Sequence, residues 1–120
     1  MENLTGRIDN KGDDQFSPTV IPSDEINLLV HDPVRLGILI LLMTNVNGLS
    51  FLHLQSNLGL TSGNLSTHAQ KLSKAGYVEI IKTFVDLKPR TYLKINAKGL
   101  TALKNYSEIL EKILESIKTD

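Results

Sequence analysis

Between Leu60 and Val78 the apolar residues Leu65, Ala69 and Leu72 recur at spacings of four and three, which is one face of a helix. The opposite face offers Ser62, Asn64, Ser66, Thr67, Gln70, Lys71 and Lys74, small hydrogen-bonding groups first and lysines later. Upstream, Leu36, Leu39, Ile40 and Met43 repeat at three and four, and Ile38, Leu41 and Leu42 widen the stripe. This predicts a helix from Pro33 to about Thr44, apolar nearly all round and therefore central to the core. Pro33 suits its first turn, where the missing N–H costs nothing. Before it, Ser23-Asp24-Glu25 reads as the start of a short helix with Ile26, Leu28 and Leu29 on its buried side, ending at Asp32 because a proline follows. After the turn Asn45 to Gly48, Leu49 reads as a one- or two-residue strand. Ser50 is then a good N-cap for a helix Phe51 to Leu58, with Phe51, Leu54 and Leu58 facing inward.

Gly59-Leu60-Thr61 joins that helix tightly to the one beginning at Ser62, and two helices joined this way form a helix-turn-helix. Gly76 ends the second of them as a left-handed C′ residue. The period then changes. Tyr77 to Phe84 is β-branched and aromatic, Asp86 to Pro89 breaks it, and Arg90 to Ile95 alternates as a returning strand. A hairpin with Lys82, Lys88, Arg90 and Lys94 on its tip and stem, directly after the polar-faced helix, reads as a wing. Asn96 caps a final helix from Ala97 to about Ile117, in which Leu103, Tyr106, Leu110, Ile113 and Ile117 form a heptad-like seam flanked by Ile109 and Leu114. The stripe is too wide for a domain of this size to bury alone, which predicts pairing with a second copy. The fold class expected is mainly α with a small β-hairpin (α+β), in three parts: a flexible acidic arm over 1–22, a winged helix domain over 23–96 and a C-terminal dimerisation helix over 97–120.

Charge changes the picture. The 120 residues carry no net charge, yet residues 62–105 hold eight cations against two acids, a local +6. Residues 1–32 hold two cations against seven acids. A basic segment between acidic ends is a usable footprint for a polyanion, and neutrality of the whole does not erase it. The absence of cysteine excludes disulfides, thiolate metal sites and a cysteine nucleophile, and fits a reducing, cytoplasmic interior. The longest apolar run, Ile38 to Met43, is too short to span a bilayer, and the acidic N-terminus is not a signal peptide. His31 and His53 lie on or near apolar faces and His68 sits in the polar-faced helix, and no pair has metal-ligand spacing. No nucleophile elbow or glycine-rich phosphate loop frames a catalytic group, so neither enzymatic activity nor a metal or other cofactor is expected.

The residues also resemble a known family. His31-Asp32-Pro33-Val34-Arg35-Leu36-Gly37-Ile38-Leu39 looks like the opening of small prokaryotic regulators. Leu58 to His68, Lys71-Leu72, Ala75-Gly76-Tyr77-Val78 and Lys88-Pro89-Arg90-Thr91 continue the likeness. Over roughly residues 26–110 the chain resembles the stand-alone winged helix-turn-helix DNA-binding regulators related to the ArsR and MarR families. The resemblance implies a homodimeric transcription regulator. The chain departs from metal-sensing ArsR members in lacking cysteine, and carries Ala69 where a leucine is usual.

The expected partner is double-stranded DNA. Ser62, Gly63, Asn64, Ser66, Thr67 and Gln70 are placed at the groove, where Asn64 and Gln70 are able to grip adenine with two hydrogen bonds. Lys71 and Lys74 on the helix, with Lys82, Lys88, Arg90 and Lys94 on the wing, are placed at phosphates or the minor groove. Leu103, Tyr106, Leu110, Ile113, Leu114 and Ile117 are placed in a dimer interface. Two alternatives stay open: a winged helix that binds protein rather than DNA, and a regulator responsive to a small molecule. Each polar residue taken singly also fits plain solvent exposure.

Overall fold

A computed structural model describes residues 25–118. It contains α1 (Pro33–Met43), β1 (Leu49–Ser50), α2 (Phe51–Leu58), α3 (Ser62–Lys74), β2 (Val78–Val85), β3 (Lys88–Ile95) and α4 (Ala97–Ile117). The three strands form one antiparallel sheet in the order β1-β3-β2. β2 and β3 pair along their whole length, from Val78 opposite Ile95 to Val85 opposite Lys88, while β1 contributes only Leu49 opposite Leu93 and Ser50 opposite Tyr92. The acidic arm expected over 1–22, and Ser23 and Asp24 of the first expected helix, lie outside the described residues.

Local chemistry sets the element ends. The Asp32 carboxylate accepts hydrogen bonds from the N–H groups of Val34 and Arg35, which starts α1 with Pro33 in its first turn. Ser50 caps α2 and Thr61 caps α3 in the same way. Gly59 ends α2 in the left-handed region at φ 65°, which turns the chain sharply into α3. Asn96 caps α4 through the Gly99 N–H, and its amide also donates 2.7 Å to the Gly76 carbonyl, tying the start of α4 to the end of α3.

The core lies where the helices meet the base of the hairpin. Ile38, Leu39 and Leu42 of α1, Leu54 of α2, Leu65, Ala69 and Leu72 of α3, and Leu93 of β3 are all fully buried. α3 packs along β2, so the hairpin is anchored to the polar-faced helix.

Three expectations are corrected. Residues 25–32 do not form an α-helix. The Asn27 side-chain oxygen accepts from the N–H groups of Leu29 and Val30 and its carbonyl from those of Val30 and His31, a single capped turn that Asp32-Pro33 cuts short. Leu28 is therefore exposed and Val30 occupies the core position instead. The second correction is to α1, which is not buried all round. Ile40 and Met43 are more than two-fifths exposed and face a groove shared with α4. The hairpin also turns more tightly than expected. Only Asp86 and Leu87 stand between the strands, both at positive φ (52° and 66°). Lys88 and Pro89 belong to β3. With Val85 and Lys88 closing a two-residue turn, Pro89 falls opposite Phe84 at a position that does not donate to the ladder.

Candidate nucleic-acid interface

α3 separates its two faces sharply. Leu65, Ala69 and Leu72 have no exposure, while Ser62, Gly63, Asn64, Thr67, Gln70, Lys71 and Lys74 are exposed and Ser66 is half-buried. The exposed groups follow one another from the first turn to the last, so a surface laid along this face meets hydroxyl and amide groups first and ammonium groups afterwards. Thr67 already donates its hydroxyl to the Gly63 carbonyl, 3.0 Å away, which leaves its oxygen free to accept. Lys71 and Lys74 lie in the last turn, where they also complement the helix dipole.

The wing carries cations on both faces. Side chains alternate along a strand, so Lys82 shares a face with Val78 and Ile80, while Lys88, Arg90 and Lys94 stand on the other. The sequence pattern groups these four together, and the register divides them. The stem is buried at its base, at Val78, Leu93 and Ile95, and its outer half is solvated. At the tip, Phe84 is 72% and Leu87 94% exposed.

Arg35 connects the base of α3 to the rest of the domain, a link that spacing alone does not reveal. Its guanidinium donates to the Leu29 carbonyl, donates 3.1 Å to Nδ1 of His68 on α3, and lies 3.8 Å from the Asp32 carboxylate. His31 and His53 are exposed rather than set against the core, and His31 Nδ1 is hydrogen-bonded to the Tyr106 hydroxyl at 2.8 Å. Among the described residues no cluster of His, Cys, Asp or Glu is arranged to hold a metal ion. No described helix is long and apolar enough to cross a membrane.

The seam on α4 is graded along its length. Leu103 and Tyr106 are 7% and 5% exposed and belong to the chain's own core. Leu110 and Ile113 are half-buried, and Leu114 and Ile117 are exposed. Between α1 and α4 runs a groove of about 850 Å³ whose apolar lining includes Leu36, Ile40, Met43, Leu100, Leu110 and Leu114. The signal for α1's share is present in the sequence as a stripe wider than one buried face needs. Its direction is set only by how α1 packs.

Two adjoining helices, the second exposing a polar and basic face, followed by a hairpin with cations on both sides, define a winged helix-turn-helix nucleic-acid-binding domain. The chain belongs to the winged helix DNA-binding domain family, whose model matches residues 34–114. It is 42% identical over 84 residues to an uncharacterized protein of Methanocaldococcus jannaschii, covering 69% of this chain and 90% of that one. It is also similar to a transcriptional regulator homologue from Pyrococcus horikoshii, with 31% identity, a TM-score of 0.71, and coverage of 78% of this chain and 91% of that structure. NadR, solved in complex with 4-hydroxyphenylacetate, shares the fold at a TM-score of 0.58 and 23% identity, over 76% of this chain and 66% of that one.

Proposed function

We propose that the protein is a sequence-specific transcription regulator that binds an inverted-repeat DNA site as a homodimer. α3 lies in the major groove, and the hairpin lies on the backbone or minor groove. The observation that carries this reading is the exposed face of α3, where Ser62, Asn64, Thr67, Gln70, Lys71 and Lys74 project from a helix fixed from behind by Leu65, Ala69 and Leu72. Asn64 and Gln70 supply paired donors and acceptors for base edges, and Lys71, Lys74, Lys88 and Arg90 supply phosphate contacts. The dimer rests on the α1–α4 groove and on the exposed end of α4 at Leu114 and Ile117. A two-fold pairing there sets the two α3 helices about 34 Å apart, one turn of DNA.

Solution mass and a DNA-binding salt series test this together. A dimer is expected, with affinity falling steeply as salt rises. Replacing Lys88 and Arg90 by alanine is expected to lower the salt slope by about 0.9 for each phosphate left without its cation. A monomer whose DNA binding ignores salt would refute the proposal.

A second reading, regulation by a small molecule, is favoured by a cavity of about 570 Å³ beneath the first half of α4, lined by Glu25, Asn27, Tyr77, Lys98, Thr101 and Asn105. It joins the 25–32 turn to the helix that would set dimer geometry. A ligand bound there raises the melting temperature as its concentration climbs above Kd, which a thermal-shift screen reads directly.

A further inference from the structure

The wing ends in apolar side chains where a polar turn is ordinary. Leu87 occupies the second turn position at φ 66° and is 94% exposed. A two-residue hairpin turn with both φ values positive favours Gly, Asn or Asp. Asp86 at φ 52° fits that preference and Leu87 does not. A leucine in this conformation is strained and, so exposed, gains no burial from its own protomer. Phe84, one residue before the closing pair of the hairpin, is 72% exposed, and Pro89 stands opposite it across the strands. Three apolar groups thus crown the outermost part of the fold.

Their surroundings indicate what they meet. The outer half of the hairpin, from Lys82 to Arg90, carries Lys82 on one face and Lys88 and Arg90 on the other, against the single acid Asp86. Cations on both faces suit a groove with phosphate on both walls. Apolar groups at the tip suit a base stack at its floor. The hairpin packs against α3 through β2, which puts the wing beside the duplex that α3 reads in the proposal above.

We infer that the wing tip is an apolar wedge: Leu87, backed by Phe84, enters the DNA minor groove beside the α3 site, partly unstacks a base step and bends the duplex. This rests on the DNA-binding reading above and adds to it a mode of recognition. Wedges of this kind kink DNA and favour pyrimidine–purine steps, because these unstack most easily. Specificity therefore extends to positions that α3 does not touch.

The test uses the full chain and a duplex of about 30 base pairs that the wild-type protein selects from a random pool, labelled at both ends for energy transfer. Leu87→Asn keeps the turn, because asparagine tolerates positive φ, and Phe84→Ser removes the backing ring. Wild type is expected to shorten the end-to-end distance by a bend within roughly 20–90°. Leu87→Asn is expected to melt no lower than wild type, to lose most of the bend, and to bind the selected duplex about tenfold more weakly, the weight of one poor base contact. Asp86→Asn, which removes the tip's only acid, is expected to bind more tightly. If wild type binds the duplex without bending it, or Leu87→Asn bends it equally, the wedge is overturned while the DNA reading stands. If wild type selects no duplex at all, the DNA reading falls and takes the wedge with it.

Discussion

Three helical glycines sit in three different amounts of space, so a glycine-to-alanine series tests the packing of the domain with known starting distances. At Gly99, in the first turn of α4, an added Cβ would lie 2.3 Å from the Tyr77 carbonyl oxygen and 2.8 Å from Ile95 Cγ1. Backbone cannot step aside as a side chain can, so α4 must retreat by about 1 Å to reach ordinary contact. The same retreat stretches the Asn96 N–H bond to the Tyr77 carbonyl (3.1 Å) and the Asn96 amide bond to the Gly76 carbonyl (2.7 Å). Overpacking costs about 1–3 kcal/mol and each weakened hydrogen bond up to about 1 kcal/mol, against about 1 kcal/mol gained from alanine's helix propensity. The net expected loss for Gly99→Ala is about 3 kcal/mol, or roughly 12 °C in Tm for a domain of this size. At Gly37 the obstacle is Leu58 Cδ2 at 3.0 Å, a methyl that can rotate away, so the change is expected to stay within about 1 kcal/mol of neutral. At Gly63 nothing lies within 4 Å, and alanine is expected to stabilise the fold by up to about 1 kcal/mol. The same Gly63→Ala substitution is expected to weaken DNA binding, since its methyl stands on the exposed face of α3. Thermal melts followed by circular dichroism rank the three variants. A Gly99→Ala protein melting within about 2 °C of wild type would show that α4 is not seated on the hairpin base as described.

Other consequences follow from the caps and the exposed face. Asn64→Ala and Gln70→Ala are expected to relax preference at individual base pairs, by about 1–3 kcal/mol each, while leaving the salt slope unchanged; competition binding against single-base variants of the selected site measures this. Removing the α1 cap with Asp32→Ala is expected to destabilise the domain by about 1 kcal/mol at neutral pH in urea denaturation. The Asp32 carboxyl titrates below its ordinary range, chiefly because the Arg35 N–H donates to the charged form. Its folded value lies below its unfolded one, so its contribution is present above about pH 4 and is lost as the pH falls through the folded value. The stability gap between wild type and Asp32→Ala is therefore expected to be constant above about pH 5 and to narrow in more acid solution.

The element order was legible in the chain because local signals agreed with one another. Asp32-Pro33, Ser50, Gly59, Gly76 and Asn96 each mark an end that backbone chemistry imposes at short range, and helix and strand periods filled the intervals between them. The face of α3 was readable for the same reason: a 3.6-residue period assigns Leu65, Ala69 and Leu72 to one side, and the structure buries all three. Where local signals competed, the pattern misled. Ile26, Leu28 and Leu29 looked like a helix face, but the one turn that Asn27 caps is cut short by Asp32-Pro33, and Val30 fills the core in place of Leu28.

Other features depended on tertiary packing. Periodicity made α1 apolar nearly all round, and only the docking of α4 determined that Ile40 and Met43 would face an open groove. The heptad-like seam of α4 read as a single stripe. Along its roughly 31 Å the packing changes: Leu103 and Tyr106 are absorbed into the core, while Leu114 and Ile117 are left exposed. The division of Lys82 from Lys88 and Arg90, and the placing of Leu87 at a strained tip, followed from strand register and from a turn two residues long. Sequence by itself determined the order of helices and hairpin from Pro33 onward and which face of α3 is polar, because those depend on neighbours within a few positions. Tertiary structure decided which apolar groups remain outside, because burial depends on what else arrives at the same place.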